Sequence, residues 1–348
     1  MTQRSSTNFS VRPRGARLLA METFANAQTL DTTQIPVIDI SSAIDGSDID
    51  SVAARIHDAA TKTGFFYISN HGIDPRLMDQ AFAVAKGFFS LSAQDKSTIA
   101  VNTDQRGWMA TGMSRLQGSK AHDLKEVFFW GTEITPDDPD LLAGKPLVAV
   151  NRWPDGVFPC LKADLLPYYG AVCKVGEKVL SAIAVSLDVA PDFFKSRYVS
   201  PLARGQMVYY PPSSPKDEAV ERFGVAPHTD FGVLTLLLQD QSGGLQVRTS
   251  EGVWIEAPPI PGTLVCNIGD LLQRWSNDCF ASTVHRVINR TQNARYSIPV
   301  FYDPNTSTCV DPHDLGVPAE ECKYEPVLVG EHIAGRNRRS FAQFKGTK

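Results

Sequence analysis

The chain has 348 residues, 43% of them hydrophobic, and a formal net charge of −4. That length can bury a large core in one domain or two, and the mildly acidic, well-mixed charge lacks the basic footprint of a nucleic-acid binder. No apolar run approaches the ~18 residues of a membrane helix. Arg4, Arg12, Arg14 and Arg17 come without the apolar core of a secretion signal, so a soluble, cytoplasmic protein is expected.

In chain order, residues 1–34 are polar and aperiodic and read as a disordered tail, or as an extension ahead of a start at Met21. Order is expected from the β-branched run 35–40. A helix starts at Ser47, with Ile49, Val52, Ala53, Ile56 and Ala60 at helical spacing, and Gly64 stops it. A strand follows at 65–69, then a helix from Pro75 to about Phe89, with proline suited to the first turn. Residues 97–157 read as irregular around an apolar knot at 127–130. A long helix is expected over 158–187, with Pro167 a candidate kink.

After about Leu202 the texture changes to short strands between turn signals: 206–210, 233–238, 245–249, 253–257, 263–268, 282–289 and 295–302. Gly243-Gly244 and Glu251-Gly252 read as hairpin turns. Many short strands at even spacing indicate a sandwich or jelly roll. A last helix is expected near 330–342. The composition contains no linker, so 35–345 reads as one domain. Its parts are a mostly helical region to 200, a β core over 201–305 and a C-terminal segment. The cysteines at 160, 173, 266, 279, 309 and 322 form no C-x-x-C and read as free thiols, not as disulfides or a zinc site.

The chemistry centres on Pro227-His228-Thr229-Asp230. On a strand, residues two apart share a face, so His228 and Asp230 can meet one ion from the same side. His285, on a predicted strand beyond several reversals, is the best-placed third ligand. Two histidines and a carboxylate opposite open positions suit non-haem iron(II) oxygenases; the same ligands could hold zinc for hydrolysis. Ten residues after His285 come Arg295 and Ser297, again sharing a strand face. A guanidinium binds a carboxylate through two bonds, and a serine hydroxyl adds a third. Such an anchor suits a dicarboxylate whose other end chelates the metal, and a zinc hydrolase has no need of it.

With these residues in place, the chain resembles the isopenicillin N synthase-like family of 2-oxoglutarate and iron(II)-dependent oxygenases. The matching stretches are IPVIDI at 35–40, GFFYISNHGI at 64–73, KEVF at 125–128, YYPP at 209–212, HTD at 228–230, VCNIGDLL at 265–272, STVHRVIN at 282–289 and 295–304. They occur in family order and span roughly 35–345. The resemblance implies a mainly β protein with flanking helices, built on a distorted double-stranded β-helix (a cupin-like jelly roll). It implies Fe(II) on His228, Asp230 and His285. The distal carboxylate of 2-oxoglutarate would lie on Arg295 and Ser297, helped by Tyr210. One departure is Val208, where many members carry asparagine. Some relatives take electrons from substrate or ascorbate instead of 2-oxoglutarate, and the Arg-x-Ser pair occurs in those too.

The implied activity is a dioxygenase that consumes O₂, releases succinate and CO₂, and hydroxylates, desaturates or cyclises a small organic molecule, with ascorbate a candidate reductant. A monomer or weak homodimer is expected. Candidate pocket residues are Phe301, which shares the parity of Arg295; Phe231, next to Asp230; Gln206, with the inward parity of Tyr210; and Trp108, where family members often place a tyrosine over the substrate. Large aromatics here suggest a substrate with a ring or hydrophobic body. His57, His71, His122, His313 and His332 have no partner at ligand spacing and read as structural.

Overall fold

The computed structural model describes residues 35–115 and 119–340. The expected N-terminal tail therefore lies outside the described residues. The first third of the chain supplies β1 (Val37–Asp39), α1 (Ser41–Asp45), α2 (Ile49–Lys62), β2 (Phe65–Ser69), α3 (Pro75–Phe89), α4 (Ala93–Ser97), β3 (Gly107–Met109) and β4 (Glu126–Gly131). After α5 (Pro139–Leu142) comes α6 (Cys160–Ser186). The β-rich part follows: β5 (Arg204–Tyr210), α7 (Pro215–Ala219), β6 (Val225–His228), β7 (Leu234–Gln239), β8 (Leu245–Arg248), β9 (Trp254–Glu256), β10 (Leu264–Ile268), α8 (Asp270–Trp275), β11 (His285–Val287) and β12 (Arg295–Tyr302). The described residues end on β13 (Cys309–Val310), β14 (Val327–Leu328) and α9 (Val329–Ser340).

Local chemistry explains the helix boundaries. Asp48 caps α2 by accepting from the Ser51 backbone N–H at 3.0 Å, and Val52, Ala53, Ile56, Ala59 and Ala60 form its buried stripe. Asp74 caps α3, where Pro75 occupies the first turn without an N–H to waste. Gly64 ends the α2 turn at φ +65°, and a Cβ there would lie 2.0 Å from the Ala281 carbonyl oxygen. Only glycine fits so close an approach.

Eight strands form one sheet in the order β1-β2-β10-β7-β12-β5-β4-β3, and four form a second in the order β6-β11-β8-β9. Strand alternation divides the large sheet's side chains between two clusters. Phe66, Ile68, Leu236, Cys266, Ile298 and Val300 belong to the core that α2, α3 and α6 cover. Phe65, Tyr67, Val127, Val208, Val265 and the second sheet's Leu245 and Val247 belong to the inter-sheet core. The result is the jelly roll with flanking helices that the strand pattern indicated. α6 lies close against β12 because Gly176 leaves room: a Cβ there would stand 2.7 Å from the Tyr302 ring.

The structure departs from the sequence reading in several places. Residues 97–157, read as irregular, supply the edge strand β3 and its neighbour β4, whose continuous apolar texture hides any alternation. The short helices α1 and α8 are too brief to show a period. Gly243-Gly244 is not a hairpin turn. It carries the chain from β7 in one sheet to β8 in the other, whereas Glu251-Gly252 does join the paired strands β8 and β9. Among the described residues all six cysteines are free, and no helix is long and apolar enough to cross a membrane.

Candidate metal centre and substrate cavity

β6 ends where the site begins. His228 is its last residue and pairs directly with His285, the first residue of β11, which brings the two imidazole centroids to 4.3 Å. Asp230 lies beyond the end of the strand. Its convergence with His228 therefore comes from the turn after β6, not from the uninterrupted strand face expected. The Asp270 backbone N–H holds that turn by donating to the Asp230 carbonyl at 2.8 Å.

Each ligand candidate is oriented from behind. His228 Nδ1 lies 2.8 Å from the Ala226 carbonyl and His285 Nδ1 3.0 Å from that of Thr283. As donors there, both rings turn an Nε2 lone pair inward. Asp230 Oδ2 accepts from Thr235 Oγ1 at 2.6 Å and Asn267 Nδ2 at 2.7 Å, leaving Oδ1 to face the imidazoles at 3.8 and 3.7 Å. One donor atom from each residue lies within 4.8 Å of the others.

Electrostatics favour the same use. Burial, reinforced by the neighbouring His285, pushes His228 down to about 3. Burial opposes the charge on Asp230, but His285, His228, Asn267 and Thr235 together hold its carboxyl below the usual range. A neutral imidazole and a carboxylate are the forms that a metal requires.

Two chambers share the walls around these ligands. The inner one runs between the sheets and is lined by Tyr210, Arg295, Ser297, Phe301 and His285. Arg295 is 1% exposed. Its Nε donates to the Gly243 carbonyl at 2.6 Å, its Nη2 reaches Gln239 at 3.4 Å, and its plane lies over the Tyr210 ring at 4.8 Å. Its Nη1 is buried without a partner. Ser297 Oγ stands 3.4 Å from the Tyr210 hydroxyl. A buried guanidinium with one unused edge beside two hydroxyls fits a carboxylate, and the nearby donor set fits a metal.

The outer chamber is lined by Gln206, Phe231 and Phe301 from the expected pocket, and by Gln105, Arg204 and Asn337, which sequence reasoning missed. Lys125 lines both chambers. It lay within the KEVF stretch already singled out, and Arg204 shares the parity of Gln206, so both carried a signal. Gln105, in a loop, and Asn337, on α9, carried none.

Trp108 is a correction. Its ring belongs to the helix-side cluster, where its Nε1 donates to Glu126 at 2.9 Å and Lys96 lies over it at 5.3 Å. The neighbouring Met109 has the inward parity, so strand alternation turns Trp108 away from the cavity. His71 also lies elsewhere, buried, with Nδ1 accepting from the Ile73 N–H at 3.2 Å.

Comparison with known proteins adds the decisive observation. Residues 35–156 match the family described as the N-terminal region of non-haem dioxygenase in morphine synthesis, and 202–304 match the 2OG-Fe(II) oxygenase superfamily. The chain belongs to the 2OG-Fe(II) oxygenase superfamily. As a member, it is a non-haem Fe(II) enzyme that uses 2-oxoglutarate. A 2-oxoglutarate-Fe(II) type oxidoreductase of Emericella nidulans is 34% identical over 325 residues, covering 91% of this chain and 93% of the relative. A homoarginine-6-hydroxylase of Oryza sativa is 34% identical, covering 89% and 98%. The crystal structure of full-length Neurospora crassa T7H in complex with alpha-KG superposes on this oxygenase with a TM-score of 0.76 at 29% identity, covering 87% of this chain and 95% of that one.

Proposed function

We propose that this oxygenase oxidises a small organic molecule in the outer chamber, with Fe(II) on His228, Asp230 and His285 and the distal carboxylate of 2-oxoglutarate on Arg295, Ser297 and Tyr210. The observation that carries the reading is the unpartnered Arg295 Nη1, buried in the chamber that also contains the triad. Iron, when bound, supplies O₂ activation coupled to the decarboxylation of 2-oxoglutarate to succinate and CO₂. The protein's part is placement. Arg295 and Ser297 orient the cosubstrate, and Asn267 and Thr235 fix the carboxylate of Asp230 so that one oxygen faces the ion. The aromatic walls exclude water and hold the substrate for hydroxylation, desaturation or ring closure. A single domain over 35–345 is part of the proposal, supported by strands from both halves of the described residues sharing one sheet. So is a cytoplasmic monomer or weak homodimer.

The test is succinate formation from 2-oxoglutarate by protein stripped of metal and reloaded with Fe(II). Alanine at His228, Asp230 or His285 is expected to abolish it while the circular dichroism spectrum and cooperative melting persist. Zinc is expected to inhibit. Full activity of Asp230→Ala, or of the zinc form, would overturn the assignment.

A further inference from the structure

The outer chamber carries more chemistry than its aromatic walls. Asn337 is 4% exposed and its Nδ2 has no partner. Arg204 Nε is likewise buried and unpaired, although Nη2 donates to Asp303 at 2.9 Å and the guanidinium lies 5.5 Å from the Phe301 ring. Lys125, 7% exposed, is ion-paired with Asp123 at 3.2 Å and carries three N–H groups. The buried side-chain atoms without a partner around this chamber, Asn337 Nδ2 and Arg204 Nε, are both donors.

Carboxylates tell the complementary story. Among the described lining residues the one acidic side chain is Asp230, which faces the imidazoles. The acids behind the wall are committed. Asp303 accepts from Arg204 and from the Val233 N–H at 2.7 Å. Asp123 is ion-paired with Lys125 and accepts from Ser114 Oγ at 2.8 Å and from the Ala226 N–H at 3.1 Å. A cationic substrate group would thus be buried without a counter-charge, a costly state. A carboxylate or carbonyl oxygen would instead satisfy donors that are now orphaned.

Building on the oxygenase reading, we propose that the prime substrate is a small ring compound bearing carboxylate or carbonyl oxygens, recognised by Asn337 and Arg204 while its ring lies against Phe231 and Phe301. Asn337 is then a specificity-determining residue supplied by the C-terminal helix α9.

Three ring probes of similar size test this by anaerobic calorimetry on protein loaded with Fe(II) and 2-oxoglutarate: benzoate, the neutral carbonyl compound 2-pyridone, and benzylammonium. Benzoate or 2-pyridone is expected to bind in the millimolar range, with benzylammonium weaker by about tenfold or more. Preference between the first two distinguishes a carboxylate substrate from a neutral carbonyl one. Asn337→Leu, which keeps the volume and removes the donor, is expected to weaken the preferred probe about tenfold. Asn337→Asp is expected to weaken benzoate further and to narrow its lead over benzylammonium. Binding of benzylammonium as tight as that of benzoate, no binding of either oxygen-bearing probe, or unchanged affinities in Asn337→Leu would each overturn the proposal. Titration of 2-oxoglutarate on the same protein reads the inner chamber separately. Its failure would remove the cosubstrate assignment, while the order of the ring probes would still decide the substrate class.

Discussion

Arg295 donates to Gly243 and Gln239 and retains a buried, unpaired N–H in the wall of the inner chamber. A buried donor without a partner costs about 1–3 kcal/mol, so a carboxylate arriving there relieves an existing penalty. Arg295→Ala is expected to raise the KM for 2-oxoglutarate by roughly 30-fold to several-thousand-fold, the equivalent of about 2–5 kcal/mol, and that of the prime substrate far less. Steady-state kinetics varying each substrate in turn checks this. An unchanged dependence on 2-oxoglutarate would mean that the electrons come from elsewhere. Phe301 lies partly open to both chambers, outside the two cores, with Arg204 against its face. Phe301→Ala is expected to spare 2-oxoglutarate binding, weaken the prime substrate by about 1–3 kcal/mol and raise the succinate-to-product ratio. A core phenylalanine would instead cost about 3–5 kcal/mol of stability and impair every activity together. Melting temperature and coupling ratio, measured on one preparation, separate the two.

At the level of elements, how much could be read from sequence followed the length of each unbroken run. β12 is eight residues of continuous strand, so parity alone put Arg295, Ser297, Pro299 and Phe301 on the inner chamber's wall. β3 has three residues and no run along which to read alternation, and Trp108 was assigned to the wrong side. The pairing of His228 with Asp230 was legible although its geometry was not, because strand and turn both bring i and i+2 together. Gln105 and Asn337 were invisible, since a loop path and the docking of an end helix depend on tertiary packing. Helix α6 offers an element-scale test. A methyl group at Gly176 would strike Tyr302, whose ring cannot easily swing away because Tyr198 packs against it at 4.9 Å. Gly176→Ala gains about 1 kcal/mol of helix propensity but incurs about 1–3 kcal/mol of overpacking. A lower urea midpoint is therefore expected, with the metal site intact; a raised midpoint would show that α6 can shift off the sheet.

For the whole molecule, acid stability depends partly on the half-buried His332 and the buried His71, which stand outside the metal triad. Burial, with Arg336, Arg274 and Arg339 adding to it and Asp270 opposing, pushes His332 down to about 4. Burial also lowers His71. An unfolded imidazole titrates near about 6.5, so as pH falls the unfolded chain takes up these protons first. The stabilisation is complete above that value and is lost between about 6.5 and about 4. Because His332 is partly exposed, its share after screening is about 1–2 kcal/mol. Urea unfolding at about pH 7.5 and about pH 5 is expected to show lower stability in acid, and His332→Gln to shrink the difference. An equal difference in that variant would assign the acid sensitivity to other groups.

The two chambers also differ in how they are built. Arg295 and Ser297 stand on β12, which is hydrogen-bonded on one side to β7 and on the other to β5. Gln105, Phe231 and Asn337 stand on a loop, a turn and the final helix. A change in β12 propagates into both neighbouring strands, whereas those three positions lie outside the strands of either sheet. Over generations of descent, such a molecule can trade one substrate for another by exchanging a few peripheral side chains, while the machinery that consumes 2-oxoglutarate passes unaltered from one specificity to the next.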